Sequence, residues 1–118
     1  MDLEQLLSQY NDLCEDNDWQ VYHTPKNLAS AITVQAAKIL EHFQWVTEEE
    51  SLSLGLIPAQ KKNITEGISS TFFLLLALAN KTGINLEQAI KDKAARDKQQ
   101  HQGIPDELLN ESIMDLDK

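Results

Sequence analysis

A chain of 118 residues, 42% hydrophobic and 25% charged, has the composition of a globular protein and the length of one domain, with room for four or five helices. Nineteen acidic residues against ten basic ones give a formal charge of -9. Such a field repels polyanions, so nucleic acid is excluded as a nonspecific partner. The single cysteine, Cys14, excludes an internal disulfide and suits a reducing cytoplasm. The acidic N-terminus is unlike a signal peptide, and the longest apolar run, Phe72 to Ala79, is too short to span a bilayer. The expectation is a soluble cytoplasmic protein with no membrane partner.

Leu3, Leu6, Leu7, Tyr10 and Leu13 recur at three- and four-residue steps and predict an amphipathic helix, ended by Glu15-Asp16-Asn17-Asp18. Near its end Cys14 reads as a small buried hydrophobe, and nothing around it in the sequence offers a base. An aromatic segment from Trp19 follows, and Pro25 bars a helix from running through Thr24. A second helix is predicted from Pro25–Leu28 to about Gln44, with Leu28, Ile32, Ile39, Leu40 and Phe43 in one stripe. Residues 46–60 hold Thr47, the run Glu48-Glu49-Glu50, Gly55 and Pro58, and read as a loop or a broken helix. A third helix is predicted from about Lys61 to Lys81. It is apolar nearly all round from Ile68 to Ala79 and is expected to be the buried one. Gly83 gives a stop, and Asn85-Leu86-Glu87-Gln88 reads as an N-cap with an acidic first turn, opening a fourth helix to about Gln99. After Gly103, Leu108, Leu109, Ile113, Met114 and Leu116 fall at helical spacing among acidic residues. This segment reads either as an amphipathic helix that docks on its own bundle or on a partner, or as a weakly ordered terminus. The organisation expected is a helical domain over 1–101 and an acidic tail over 102–118.

The stretch Trp19-x-x-x-His23-x-Pro25-Lys26-Asn27-Leu28, continuing to Leu40-Glu41-x-Phe43-Gln44-Trp45, resembles the MazG-like dCTP pyrophosphatases. Leu74 to Ala79, then Gly83-Ile84-Asn85-Leu86 with Ala89 and Lys93, resembles the same family's third helix, turn and fourth helix. The resemblance runs from residue 19 to about 101. It implies an all-α, four-helix MazG-like bundle assembled as a dimer or a dimer of dimers, to which the C-terminal acidic amphipathic segment is an addition. It also implies cleavage of a nucleoside triphosphate to monophosphate and pyrophosphate, with magnesium held by Glu-x-x-Glu on one helix and Glu-x-x-Asp on the next. Residues three apart share a helix face, and two such pairs on facing helices make an oxygen cage for a hard cation.

At the positions that match those ligands this chain has Gln35, Lys38, Gly67 and Ser70. Four negative charges are replaced by one positive charge, so magnesium is expected to be lost as a cofactor. Glu41 and Glu66 match neighbouring acidic positions instead. The residues that the resemblance associates with base recognition, Trp19, His23, Asn27 and Trp45, are retained. The expectation is a catalytically degenerate protein that binds a nucleotide or related phosphorylated molecule without hydrolysis, for sequestering or sensing. Its ligand residues would be Trp19, His23, Lys26, Asn27, Gln35, Lys38, Trp45, Ser70 and Lys93, with no metal and no catalytic residue. Two alternatives stand beside it. One is a regulatory or structural subunit that binds a protein partner. The other is an active magnesium-dependent pyrophosphohydrolase with relocated ligands, drawing on Glu41, Glu66 and residues 48–50. Taken one by one, bland roles are also open: Trp19 and Trp45 as packing anchors, Lys38 as a solvated lysine, Gln35 and Ser70 as hydrogen-bonding spots across a former cage.

Overall fold

The computed structural model describes residues 1–19 and 23–101, the side chain of His101 excepted. Among these residues there are five α-helices, a 3-10 turn at Leu54–Leu56 and no strand, the all-α class expected. Helix α1 (Leu3–Asp16) opens where the Asp2 carboxylate accepts the Gln5 backbone N–H at 3.0 Å. Beyond it Asp18 turns the chain with a left-handed φ of 55°, a conformation aspartate tolerates. Helix α2 (Pro25–Glu41) has Pro25 at its first position, where a missing N–H costs nothing, and the Thr24 hydroxyl accepts from the Asn27 backbone at 3.2 Å. It ends three residues before the predicted Gln44, where the His42 and Phe43 backbone N–H groups donate to carbonyls only three residues back.

The segment read as a loop or broken helix contains ordered elements. Thr47 and Glu50 cap each other reciprocally and start the one-turn α3 (Glu48–Ser51), and a 3-10 turn follows at Leu54–Leu56. Helix α4 (Pro58–Lys81) begins three residues ahead of the predicted Lys61, with Pro58 as its first residue. It closes as expected at Gly83, whose φ of 72° lets the Ile84 N–H reach Ala79 O at 2.8 Å while its own N–H reaches Asn80 O. Helix α5 (Leu86–His101) is capped by Asn85, whose side chain accepts the Gln88 N–H at 3.1 Å.

The chain divides after Ile84 into two compact units, of which the second contributes α5 to the described residues. Residues 102–118, the expected tail, lie outside them, as do 20–22. In the first unit α2 and α4 are the principal pair, with α1 and the 3-10 turn also packed on α4. The pair is antiparallel: Gln35 meets Ser70 at one cavity, Ile39 meets Gly67, and His42 meets Asn63. The core is small and apolar, made of Cys14, Leu28 (1% exposed), Leu54, Leu76, Ala77 and Ala79. Helix α4 is therefore buried on one side only. Ile68 and Leu75 stay exposed, as do Val34 and Leu40 on α2, and Trp45, Leu52 and Leu56 are 87%, 86% and 83% exposed. The helix expected to be the buried one does supply Leu76, Ala77 and Ala79, half of this core, but its apolar side chains outnumber the neighbours available to cover them. Among the described residues no single helix is long and apolar enough to cross a membrane.

Candidate functional site

Three cavities lie in a row along one face of α4. That helix contributes Asn63, Glu66, Gly67 and Ser70 to the first, Ser70, Phe73 and Leu74 to the second, and Ala77, Asn80 and Lys81 to the third. Steps of three and one keep all of them on one stripe, ~27 Å long at 1.5 Å per residue. Gln35 and Ser70 line both the first and second cavities, and Tyr10 lines both the second and third.

The first cavity, about 180 Å³, is closed on the α2 side by Gln35, Lys38 and His42. The four residues singled out from sequence as former ligand positions, Gln35, Lys38, Gly67 and Ser70, thus converge on one cavity. Two residues there went unnoticed in the sequence. His42 is four residues after Lys38, and Asn63 is four before Gly67, so the i, i+4 rule applied to the named positions would have found both. Glu66 supplies the cavity's single carboxylate. Two amides, an ammonium, an imidazole, a hydroxyl and one carboxylate do not resemble the oxygen cage magnesium takes, and Gly67 offers no side-chain donor. Among the described residues no group of three His, Cys, Asp or Glu side chains could hold a metal ion. The donor set does not fit magnesium.

The second cavity, about 350 Å³, is the more apolar, walled by Tyr10 and Leu13 of α1 and by Phe73 and Leu74 of α4. Its aromatic wall is Tyr10 stacked on Phe73 at 5.3 Å, and on the side of the third cavity Tyr10 also stacks on His23 at 5.9 Å, nearly parallel in both cases. The third cavity, about 230 Å³, is polar and lined by Asn11, Cys14, Glu15 and His23 besides Asn80 and Lys81. Cys14 is buried as expected, at 2% exposed. It does have a base beside it, however: its Sγ lies 3.7 Å from His23 Nδ1. The chain brings His23 back over α1 from nine residues away, which local sequence cannot reveal. Burial, reinforced by the charge and hydrogen bond of the neighbouring Cys14, pushes the Tyr10 phenol up to about 12.

The other named residues lie elsewhere. Trp19, Lys26, Asn27 and Trp45 line none of these three cavities, and Trp45 projects into solvent. Lys93 is on α5 in the second unit, where it pairs with Asp97 at 2.9 Å on an exposed surface.

An all-α protein with a polar cavity between two antiparallel helices is the class that this geometry defines. Residues 30–116 match the MazG-like family, and the chain belongs to it. It is 29% identical over 91 residues to human dCTP pyrophosphatase 1, covering 77% of this chain and 54% of that protein. It is 28% identical over 88 residues to its bovine counterpart, covering 75% and 52%. The chain thus spans about half the length of these curated relatives. A pyrophosphatase from Archaeoglobus fulgidus has a similar solved structure, with TM-score 0.74 and 32% identity over 82% of this chain and 89% of that one.

Proposed function

We propose that this chain is a catalytically degenerate MazG-like protein that holds a nucleotide or related phosphorylated molecule without metal and without hydrolysis. The observation that carries the reading is the convergence of Gln35, Lys38, Gly67 and Ser70 on one cavity, with a cation where the resemblance implies carboxylates. Lys38 and His42 offer donors to a phosphate group, and Gln35 and Ser70 offer neutral hydrogen bonds beside them. The neighbouring apolar cavity has the aromatic walls to take a base or sugar. Its shared edge with the first cavity lets one extended ligand span both. Trp19, His23, Lys26, Asn27, Trp45 and Lys93 belong to the proposed ligand set through the resemblance alone.

The decisive experiment incubates concentrated protein with a nucleoside triphosphate panel and magnesium, scoring monophosphate and pyrophosphate, and repeats the panel as metal-free binding. The expected result is no turnover and measurable binding in EDTA. Protein-dependent product that EDTA abolishes would overturn the reading in favour of an active enzyme with relocated ligands.

Association with a second copy is proposed alongside. Trp45, Leu52 and Leu56, on and around the turns after α2, are almost fully exposed, and Leu40 on α2 is more than half exposed. An unpartnered group of large apolar side chains on so short a chain favours a homodimer or homotetramer, or a protein partner, over a lone subunit.

A further inference from the structure

Gly67 lies in the interior of α4, a position where glycine is normally a cost, and its surroundings explain its presence. A Cβ built on Gly67 would stand 2.8 Å from Ile39 Cγ1, 3.6 Å from its Cδ1 and 4.0 Å from its Cβ. Ordinary carbon contacts begin at ~3.5 Å, so the clash is with the branch of Ile39 nearest its own backbone, not with a movable tip. In a helix isoleucine holds one χ1 rotamer almost exclusively, so Cγ1 cannot swing clear without leaving its well. The carbonyl of Gly67 also accepts the Thr71 hydroxyl at 2.7 Å, within the same turn of the helix. Helices α2 and α4 thus touch through Ile39 and a bare backbone at the floor of the first cavity.

We infer that Gly67 and Ile39 form a steric lock: position 67 cannot regain a side chain, and therefore cannot regain a metal ligand, unless Ile39 is shortened. This rests on the reading of the first cavity as a former metal cage. The departure from that cage is held by packing as well as by charge. Restoring the acidic residues at the four matching positions does not by itself rebuild a cation site, because the carboxylate at 67 would have to begin inside the volume of Ile39.

Two measurements test the lock. The first compares melting temperatures of the full chain carrying Gly67→Ala alone, with Ile39→Val, and with Ile39→Ala, each against its parent. At an open helical site alanine for glycine is stabilising. Here Gly67→Ala is expected to lower Tm by ~4 °C or more, because overpacking outweighs propensity. Ile39→Val retains a carbon at the clashing branch and leaves that loss in place. Ile39→Ala removes it and turns the effect of Gly67→Ala into a gain. A Tm unchanged or raised by Gly67→Ala with Ile39 intact would overturn the lock. The second restores Gln35→Glu, Lys38→Glu, Gly67→Glu and Ser70→Asp together, with and without Ile39→Ala, and titrates Mn²⁺ by calorimetry. At least tenfold tighter binding with Ile39→Ala is expected, and equal affinity in the two backgrounds would sink the proposal. If neither restored protein folds, the melting cycle decides alone. The unaltered protein is titrated with magnesium in parallel. Binding there that Glu66→Gln abolishes would defeat the metal-free reading of the cavity while leaving the outcome of the alanine cycle untouched.

Discussion

Lys38→Glu is the sharpest perturbation of the proposed phosphate end. Lys38 is an exposed residue lining an open cavity, so its field is screened by solvent. A unit charge facing a dianionic terminal phosphate at ~5 Å, with an effective dielectric of ~60, interacts by ~2 kcal/mol, and physiological salt roughly halves this. Neutralising the residue as Lys38→Met therefore weakens binding by ~1 kcal/mol, or ~5-fold in Kd. Reversing it as Lys38→Glu costs ~2 kcal/mol, or ~30-fold. The assay is calorimetric titration with nucleoside triphosphates in EDTA, at ~0.15 M and at ~0.5 M salt, where the Debye length falls to ~4 Å and the gap between parent and variant narrows. His42, at the C-cap of α2, and Glu66 across the cavity are unaltered in both variants. A Lys38→Glu protein that binds within twofold of the parent at both salt concentrations would refute the argument, since a ligand indifferent to that charge has no phosphate in the first cavity.

Leu28→Ala should lower stability by ~2–5 kcal/mol, seen as a large drop in Tm, because this fully enclosed side chain anchors the start of α2; a drop of only a degree or two would show that the site collapses without cost. The raised Tyr10 pKa fixes the sign of an alkaline effect: the protonated phenol is favoured by folding, so its contribution is complete below pH 10 and is lost as pH rises towards 12. Denaturant titrations across that window should show a steeper loss for the parent than for Tyr10→Phe, and identical slopes would rule out the phenol as the cause. Replacing Trp45, Leu52 and Leu56 together by alanine should shift the light-scattering mass of an associated protein towards that of one chain, with a monomeric parent as the contrary result.

Helix content was legible because it depends on local periodicity and on caps. Asp2, Thr24 and Asn85 accept the backbone N–H bonds that their residue types foretell, and Gly83 adopts the positive φ that a helix stop there requires. Residues 46–60, which read as a loop or broken helix, carry two local signals of the elements within them. Thr47-x-x-Glu50 is a capping box, and Pro58 suits the first turn of a helix better than its interruption. At the candidate site, the partners of Gln35 and Lys38 on α4 followed from spacing plus the resemblance. What spacing could not reveal was contact between segments with no fixed register. His23 beside Cys14, and the ring stack through Tyr10 to Phe73, depend on how α1 crosses α4. The Ile39–Gly67 contact is of the same kind, since an interior glycine reads as a mere weakness until its neighbour is known.

A metal cage between two helices carries a penalty in the absence of its ion, because clustered carboxylates repel one another and push the helices apart. In this chain the same faces present Gln35, Lys38, Gly67 and Ser70, and the one carboxylate in the cavity, Glu66, shares it with two groups able to carry positive charge, Lys38 and His42. The buried apolar residues of the two helices are different ones, Leu28 of α2 and Leu76, Ala77 and Ala79 of α4, and the helices meet directly at Ile39 and Gly67, so their packing does not call for a cation. On this reasoning Tm should move by no more than ~1 °C between EDTA and millimolar magnesium. A site occupied at ~100 times its dissociation constant would instead add ~2.7 kcal/mol, a rise of roughly 10 °C or more for a unit of this size. A magnesium-dependent rise of that order, abolished by Glu66→Gln, would mean that a cation bridges the two helices after all and that the lost carboxylates have been replaced from elsewhere in the chain or from a second copy.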